Sequence, residues 1–329
     1  MTYRAAIPVG VVGVGSLGFH HARILRDVSG AAMVGVFDAD PERARTVADE
    51  LEVRAFGSLD EFLDVVEAAV IAVPTTDHAA VALRALDRGV HLLIEKPIAA
   101  TIAEADEIVR VADSAGVLVA TGHVERFNEA LRACEPYLDS PQFIESHRLA
   151  PFGPRGTDVA VVLDLMIHDI DLVLSLAGMP VQDVAAVGVP VLTPNVDIAN
   201  ARLSFEGGAV ANITASRVSK DRMRKVRLFQ RSGYISLDLG AGTGEFLRLR
   251  KGVSLGSLDS PGALEGIVER VELMGDGKEP LRAELEAFIA AVRGDQPVVV
   301  TGADGRRALQ VALKIVEGIE QNVVNERSA

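Results

Sequence analysis

Short apolar runs alternate with helical patterns along the first third of the chain. The apolar runs, rich in Val, Ile and Leu, predict strands at residues 7–14, 32–37, 53–56, 68–73, 90–94 and 117–122. Helical spacing of apolar positions predicts helices between them, at residues 17–28, 41–51, 59–65, 77–88 and 102–115. Continuous apolar strands between helices are typical of a parallel sheet that is covered on both faces. The sequence therefore predicts an N-terminal α/β domain with a doubly wound parallel sheet.

The pattern changes after residue 123. A predicted helix at residues 128–138 precedes segments of alternating apolar and polar residues, which predict strands at residues 143–149, 181–191, 199–205, 209–216, 226–230, 234–239 and 246–249. Further helices are predicted at residues 159–176, 281–292 and 305–323. We therefore divide the chain into an N-terminal domain, residues 1–123, and a C-terminal α+β domain, residues 124–329, with a largely antiparallel open sheet.

Length, net charge, apolar runs and cysteine content exclude several classes of protein. The length of 329 residues fits two domains, and a net charge of -13 argues against a nucleic-acid binder, which needs a basic surface. No apolar run approaches the ~20 residues of a membrane span. Pro8 and the nearby glycines argue against a signal peptide in the N-terminal apolar stretch. The single cysteine, Cys134, cannot form an internal disulfide, so a reducing cytoplasm is expected.

A glycine-rich turn joins the first predicted strand to the first predicted helix. Its sequence, Gly13-Val14-Gly15-Ser16-Leu17-Gly18, has the spacing and the strand–turn–helix context of a dinucleotide site. Gly13 permits a tight turn, Gly15 lets the backbone approach a pyrophosphate, and Gly18 allows close packing of helix on strand. The helix N-terminus would supply N–H groups to the phosphates. The alternative is a glycine-rich turn that binds no ligand.

Asp38 bears on which dinucleotide binds. It ends the second predicted strand, about 20 residues after the glycine motif, where a carboxylate can accept hydrogen bonds from an adenosine ribose. The same charge repels a 2′-phosphate, and Ala39 offers no guanidinium to hold one. Arg43 and Arg45 follow shortly afterwards and could compensate. The pattern favours NAD over NADP.

Glu95-Lys96-Pro97 follows the predicted strand at residues 90–94, at the carboxyl edge of the sheet, where doubly wound folds bind ligands. Pro97 biases Lys96 toward an extended backbone. From there a lysine can hydrogen-bond a substrate hydroxyl or carry its proton, whereas most lysines are simply solvated. Both interpretations stay open on position alone.

Asp164 and His168 are four residues apart in the predicted helix 159–176, so they share one of its faces. A carboxylate beside a partly buried imidazole can orient the ring and stabilise its protonated form, as general acid–base chemistry requires. A structural histidine fits the same spacing. Asp169 and Asp171 crowd the same turn, where local pairing or capping is one role for them. The sequence has no Cys/His cluster with metal-ligand spacing, so no metal site is expected.

One dense basic run stands out in this acidic chain. Seven cations accompany a single acid, Asp221: Arg217, Lys220, Arg222, Arg224, Lys225, Arg227 and Arg231. Such a run is often a solvated strand edge, where charge opposes aggregation. Arginine also suits bidentate contacts with phosphate, so the run could instead hold an anionic substrate group. Both interpretations stay open.

Together these motifs resemble the Gfo/Idh/MocA family (glucose–fructose oxidoreductase, inositol dehydrogenase and relatives) over essentially the whole chain. The resemblance rests on the glycine motif, Val73-Pro74-Thr75-Thr76-Asp77-His78, Glu95-Lys96-Pro97 and the Asp164/His168 pair. It implies an NAD-binding Rossmann domain and a domain for substrate binding and oligomerisation, a cis bond before Pro97, and Lys96, Asp164 and His168 around the reacting hydroxyl. The implied cofactor-binding residues are Gly13, Gly15, Ser16, Leu17, Gly18, Asp38, Pro74, Thr75, His78, Glu95 and Lys96.

Within the family, residues 122–128, 151–155, 163–171 and 216–230 look more like the UDP-N-acetylglucosamine 3-dehydrogenase branch. Many family sugar dehydrogenases carry a glycine-rich stretch before the aspartate, and its absence at residues 158–163 weakens an assignment to inositol or free glucose. The branch implies oxidation of the sugar 3-hydroxyl with NAD, ahead of a transamination that yields a 3-amino sugar for lipid A-type glycolipids. The implied substrate-binding residues are Arg126, Asn128, Arg155, Arg217, Arg222 and Arg224.

Two other functions stay open on the sequence. One is a dehydrogenase of a free sugar or an inositol-like cyclic polyol. The other is a catalytically silent regulator that senses NAD on the same fold, against which the joint presence of Lys96, Asp164 and His168 argues. The resemblance implies a homodimer or homotetramer, and neither a nucleic-acid nor a membrane partner is expected.

Overall fold

The computed structural model describes residues 5–153, 156–250 and 267–328. Residues 1–4 and Arg155, one of the expected substrate-binding residues, lie outside the described residues. The chain forms two compact units, Met1–Val124 with Glu279–Gln310 and Glu125–Lys278 with Val311–Ala329. In the described part of the chain, no helix combines the length and the apolar character needed to cross a membrane.

The first unit is built on a six-stranded parallel sheet. Its strands are β1 Ile7–Val12, β2 Ala31–Phe37, β3 Arg54–Ala55, β4 Ala68–Ile71, β5 His91–Glu95 and β6 Val119–Gly122. Its connecting helices are α1 Ser16–Leu25, α2 Pro41–Leu51, α3 Leu59–Leu63, α4 Thr75–Leu86 and α5 Ile102–Ala115. The strand order β3-β2-β1-β4-β5-β6 confirms the doubly wound fold and places its switch point between β1 and β4.

Local sequence signals explain where these helices begin and end. Asp40 caps α2 by accepting two first-turn N–H groups, and Pro41 occupies the first helical position. Thr101 and Glu104 form a capping box at the start of α5, and Gly116 ends that helix in the left-handed conformation. The predicted bounds of α2 and α5 therefore match the structure.

The second unit is built on an eight-stranded sheet. Its strands are β7 Phe143–Leu149, β8 Val181–Val189, β9 Ile198–Phe205, β10 Val210–Ser216, β11 Met223–Gln230, β12 Gly233–Asp238, β13 Thr243–Leu249 and β14 Val268–Met274. The order is β14-β13-β12-β11-β7-β10-β9-β8. Among these described strands only β7 and β10 pair in parallel, so the expectation of a largely antiparallel sheet is confirmed.

Two segments of the second unit differ from the sequence-based prediction. The predicted helix at residues 159–176 contains a π-helical turn, Val162–Met166, before the regular helix α7, Ile167–Ala177. The predicted helix at residues 128–138 is reduced to α6, Glu129–Cys134, and a 3₁₀ turn. Strand β14 was not predicted, because its apolar and charged residues do not strictly alternate.

The chain returns to the first unit at α8, Pro280–Val292, which precedes the last helix, α9, Gly302–Ser328. Leu285, Phe288 and Ile289 of α8 share one apolar core with Ile24 and Leu25 of α1. The sequence-based division assigns residues 279–310 to the second domain, whereas the structure packs them with the first unit. The physical reason is that the apolar face of α8 completes the core beneath α1.

Candidate active site

The glycine turn after β1 is closely packed at two positions and open at the third. Gly13 has a φ of 82°, and a Cβ there would lie 2.8 Å from the backbone of Ala72. A Cβ on Gly18 would collide with the Gly13 carbonyl group. Around Gly15, by contrast, no described atom beyond its two chain neighbours lies within 4 Å of an added Cβ. The turn therefore leaves open space at Gly15, as the approach of a phosphate requires.

The N-terminus of α1, like that of α4, has no side-chain cap, whereas α2, α3 and α5 each have one. Asp40, Ser58 and Thr101 accept hydrogen bonds from first-turn N–H groups of α2, α3 and α5. At α1 the N-cap is Gly15, no side chain caps the helix, and its first turn has no acidic residue. The exposed residues of this turn are Gly15, Ser16 and Leu17. The positive end of the helix dipole thus fits an anion such as a dinucleotide pyrophosphate.

Asp38 and Arg43 both bind the peptide groups of Val14 in the glycine turn. Asp38 accepts the Val14 N–H at 2.7 Å through Oδ2 and the Asp40 N–H at 2.9 Å through Oδ1. The Arg43 Nε donates to the Val14 carbonyl oxygen at 2.7 Å. The carboxylate expected to accept ribose hydroxyls therefore lies directly beside the turn, together with a guanidinium.

Lys96 directly follows a buried carboxylate. Glu95 Oε1 lies 2.7 Å from His21 Nε2, and Oε2 accepts the Lys96 N–H at 3.1 Å. Burial alone would raise the pKa of Glu95, but the hydrogen bond from His21 and the charge of Lys96 hold it below its ordinary value. Glu95 is therefore ionised, and these contacts lie within the first unit. The Lys96–Pro97 bond is cis, which confirms the implication of the family resemblance.

His78 joins the loops that follow β4 and β5. Its Nδ1 lies 2.9 Å from the Pro97 carbonyl oxygen and its Nε2 lies 3.0 Å from that of Val73. Burial lowers the pKa of His78, and a neutral ring donates to only one of these carbonyl groups at a time. The structure buries the His78 ring between two backbone segments, and its predicted contact with the cofactor stays a prediction. Pro74 and Thr75 lie beside it at the start of α4.

Asp164 and His168 lie one helical turn apart and are both half-buried. Asp164 is in the π turn and His168 is in the first turn of α7. The break in helical hydrogen bonding is explicit, because the Ile167 N–H bonds to the Val162 carbonyl oxygen, five residues back. Such π turns are frequent at functional sites. The carboxylate and the imidazole are therefore held at the junction of two helical geometries.

A buried arginine holds the segment against which Asp164 packs. Gly156 has a φ of 72°, and any side chain there would collide with the Asp164 carboxylate. The Arg217 guanidinium donates to the carbonyl oxygens of Gly156 and, at 2.6 Å, of Val159. Its Nε lies 3.8 Å from Asp197. The side chain of Arg217 is buried and bound to the protein backbone, and its contact with substrate stays a prediction.

A buried ionic cluster, not found by sequence reasoning, fixes the start of α7. Arg148 of β7 lies 2.8 Å from Glu125 and 2.5 Å from Asp169, and Asp169 also accepts the Ser146 hydroxyl at 2.7 Å. Burial alone would lower the pKa of Arg148, but the two carboxylates raise it, so the guanidinium stays charged. Asp169 directly follows His168. The available signal was strand alternation, which places Arg148 on the covered face of β7 with Ser146.

Arg126 and Asn128 are also held by protein groups. Arg126 binds Asp171 at 2.9 Å and the hydroxyl of Ser175. Asn128 caps α6, and its side-chain amide donates to the Leu239 carbonyl oxygen at 2.9 Å. Both residues are predicted from the sequence to bind substrate, and that stays a prediction. Their described contacts stabilise the second unit, in which each is largely buried among these partners.

Arg222 and Arg224 line a groove of about 620 Å³ on the second unit. The other lining residues are Met223, Lys225, Asp238, Gly240 and Ala241. Three cations thus surround one carboxylate, and Lys225 lies 3.8 Å from it. Arg224 also lies 3.7 Å from Glu125 of the buried cluster. Of the six expected substrate-binding residues, the structure brings these two arginines together in one groove.

Comparison with known proteins gives two matching family models. An oxidoreductase family with an NAD-binding Rossmann fold matches residues 7–123, and the Gfo/Idh/MocA C-terminal domain matches residues 143–236. The UDP-N-acetylglucosamine 3-dehydrogenase of Acidithiobacillus ferrooxidans is 39% identical over 94% of this chain and 96% of its own. A solved structure of that enzyme matches with a TM-score of 0.89 and 38% identity, covering 97% of this chain and 99% of the other. An inositol 2-dehydrogenase of Burkholderia cenocepacia is 29% identical over 97% and 95% of the two chains.

Replacing Arg148 by Met tests the buried cluster. Arg148→Met leaves Glu125 and Asp169 buried without their cation, so the free energy of unfolding should fall by about 3–5 kcal/mol. Urea unfolding followed by circular dichroism measures this loss. Arg248→Met, which breaks a half-exposed pair with Glu269 in the same sheet, is the control and should leave the transition nearly unchanged. Equal effects of the two substitutions would show that the cluster adds nothing beyond a surface ion pair.

Proposed function

The chain belongs to the Gfo/Idh/MocA family of oxidoreductases, and on that premise we propose that it oxidises a secondary hydroxyl group of a nucleotide sugar with NAD. The relative from Acidithiobacillus ferrooxidans is named a UDP-N-acetylglucosamine 3-dehydrogenase, and we extend that substrate and position to this chain. The observation that carries the proposal is the cationic groove around Arg222 and Arg224, in a chain whose net charge is -13.

The chemistry removes one proton and one hydride from the carbinol and leaves a ketone. Bound NAD would supply the hydride acceptor. Lys96 and His168 act on the hydroxyl group, where one removes the proton as the hydride leaves and the other hydrogen-bonds the oxygen. Asp164 orients the His168 ring and stabilises its protonated form.

The groove supplies the local positive charge that a UDP-sugar needs. An acidic chain repels a diphosphate at long range, so recognition depends on a local reversal of sign. Arg222 and Arg224 can each make charge-assisted hydrogen bonds to phosphate oxygens. An uncharged sugar or polyol would gain nothing from these cations, so the groove favours a nucleotide sugar over the inositol-like alternative.

Asp38 favours NAD as the cofactor. Its carboxylate lies beside the glycine turn, where it can accept the ribose hydroxyls and repel a 2′-phosphate. Arg43 binds the same turn and is the residue that would oppose this preference.

The open face of the eight-stranded sheet is suited to a second copy of the chain. Phe143, Phe229 and Tyr234 form an aromatic row across three neighbouring strands, with ring centroids 5.4 and 5.0 Å apart. Only Phe229 of this row is exposed and the other two rings are half-buried, and covering them in a homodimer or homotetramer would stabilise the row. The single cysteine, Cys134, is buried, which suits a reducing cytoplasm. The 3-keto product would carry the carbonyl group that a transamination consumes on the way to a lipid A-type amino sugar.

Substitution of the catalytic candidates tests the chemistry. Lys96→Met and His168→Ala should each lower kcat with UDP-N-acetylglucosamine by roughly 10²–10⁴-fold, the usual contribution of acid–base groups. The dissociation constant for NAD should stay unchanged in His168→Ala. Lys314→Met, on an exposed lysine of α9, should behave as the wild type. Near-normal turnover in either candidate variant would remove that residue from the mechanism.

Substitution of Arg222 and Arg224 in the groove tests whether the substrate is a nucleotide sugar. Arg222→Ala and Arg224→Ala should each raise KM for the UDP-sugar about tenfold or more, because a charge-assisted contact contributes about 1.5–3 kcal/mol. NAD binding should not change, and Arg231→Ala, in the turn after β11, should be silent. Turnover of a free sugar or polyol that exceeds that of the UDP-sugar and ignores both substitutions would overturn the nucleotide-sugar assignment.

Cofactor choice is tested by exchanging the charge after β2. The double substitution Asp38→Ser with Ala39→Arg should shift preference toward NADP, because it removes the repelling carboxylate and adds a phosphate ligand. Calorimetric dissociation constants for NAD and NADP measure the shift. Tighter binding of NADP than of NAD by the wild type would show that attraction of the 2′-phosphate by Arg43 exceeds its repulsion by Asp38.

A further inference from the structure

We propose that His21 and Glu95 form a buried positioning pair that fixes the conformation and the charge state of Lys96. The inference deepens the proposed function, on which it rests for the role of Lys96. Neither His21 nor the side chain of Glu95 reaches the reacting hydroxyl in this proposal. Both act through the lysine.

One carboxylate connects two functional elements of the first unit. His21 lies on α1, three residues after Gly18, and is 1% exposed. Its Nε2 lies 2.7 Å from Glu95 Oε1, while Glu95 Oε2 accepts the Lys96 N–H at 3.1 Å. The helix behind the glycine turn is thereby joined to the backbone of the lysine through a single side chain.

The carboxylate is also confined from the other side. A Cβ on Gly122 of β6 would lie 3.3 Å from Glu95 Oε2, a tight contact that would push the carboxylate by a few tenths of an ångström. With His21 on one side and β6 on the other, the carboxylate has little room to reorient. The Lys96 peptide that it binds is therefore held in one position.

The contact between the two side chains runs through one ring nitrogen. Among the described residues, no hydrogen-bond partner lies at His21 Nδ1, so His21 meets Glu95 through Nε2 alone. The carboxylate supplies the negative charge of the pair, because the pKa of Glu95 lies below its ordinary value.

This negative charge acts on the lysine next to it. Among the described residues, the titratable groups that interact with the Glu95 carboxylate include His21 from α1, Lys96 from its own loop and His78 from α4, whereas Gly122 of β6 packs against it. His78 is held neutral by burial. The carboxylate therefore stabilises the ammonium form of Lys96 by a direct charge interaction.

Competitive acetylation measures the effect on Lys96 without any substrate. Lys96 is the only lysine before Lys220, so mass spectrometry identifies its peptide directly. In Glu95→Gln, which keeps the size of the side chain, the pH midpoint of Lys96 acetylation should fall by about one unit, because the adjacent negative charge is gone. His91→Asn, at the opposite end of β5, is the matched control and should leave the midpoint unchanged. An unchanged midpoint in folded Glu95→Gln would overturn the proposal.

Two substitutions of His21 separate positioning from space filling. His21→Gln keeps a side-chain N–H for Glu95, whereas His21→Leu fills the space without a donor. We expect kcat with the UDP-sugar to fall roughly tenfold or more in His21→Leu and to stay within about threefold in His21→Gln, with KM for the sugar unchanged in both. Equal losses in the two variants would show that His21 only packs.

The turnover assay tests the proposed function, and the acetylation assay tests the positioning pair independently of it. If the protein turns over no nucleotide sugar, the proposed function is wrong, and acetylation of Lys96 still decides the role of the pair. If circular dichroism shows that Glu95→Gln does not fold, the His21 variants decide it. A shifted acetylation midpoint in His21→Leu but not in His21→Gln supports the pair, and equal midpoints contradict it.

Discussion

An ionised group that leaves water loses several kcal/mol of hydration, so it persists inside a protein only with partners that replace the water. Both units use this constraint beside their candidate catalytic residues. In the first unit Glu95 is paired with His21, and Lys96 follows it in the chain. In the second, Asp169 is paired with a buried arginine and directly follows His168. Each catalytic candidate is therefore one peptide bond away from a buried carboxylate that cannot shift without losing its partner.

The N-terminus of α1, at the glycine turn, shows the opposite arrangement, because no side chain of the protein caps it. Helices α2, α3 and α5 satisfy first-turn N–H groups with capping side chains, and α4 has Asp77 in its first turn, whereas α1 begins at Gly15 with neither. The polar groups that the protein satisfies internally form its scaffold. At α1 the positive end of the helix dipole has no side-chain cap, and an anion can take the place of that cap.

How much the sequence predicts depends on how far apart the interacting residues lie. Caps and strand alternation act over a few residues, so the bounds of α2, α5 and β7 are predicted to the residue. Lys96 and His168 lie in short motifs, so the sequence also predicts them as candidate catalytic residues. The sequence does not predict the contact between His21 and Glu95, because the two residues are 74 positions apart and only the folded sheet brings them together. The sequence of the basic run likewise does not predict which of its arginines are buried. Arg217 is buried and Arg222, five residues later, is exposed.

The return of α8 to the first unit has a consequence for synthesis on the ribosome. The strands of the parallel sheet are complete at Gly122, but the helix that covers Ile24 and Leu25 begins only at Pro280. At about 5–20 residues per second, the ribosome needs on the order of ten seconds to make the intervening chain. During that interval the apolar side chains of α1 that α8 later covers stay exposed in the nascent first unit. Chaperones can bind this apolar surface until α8 has been synthesised.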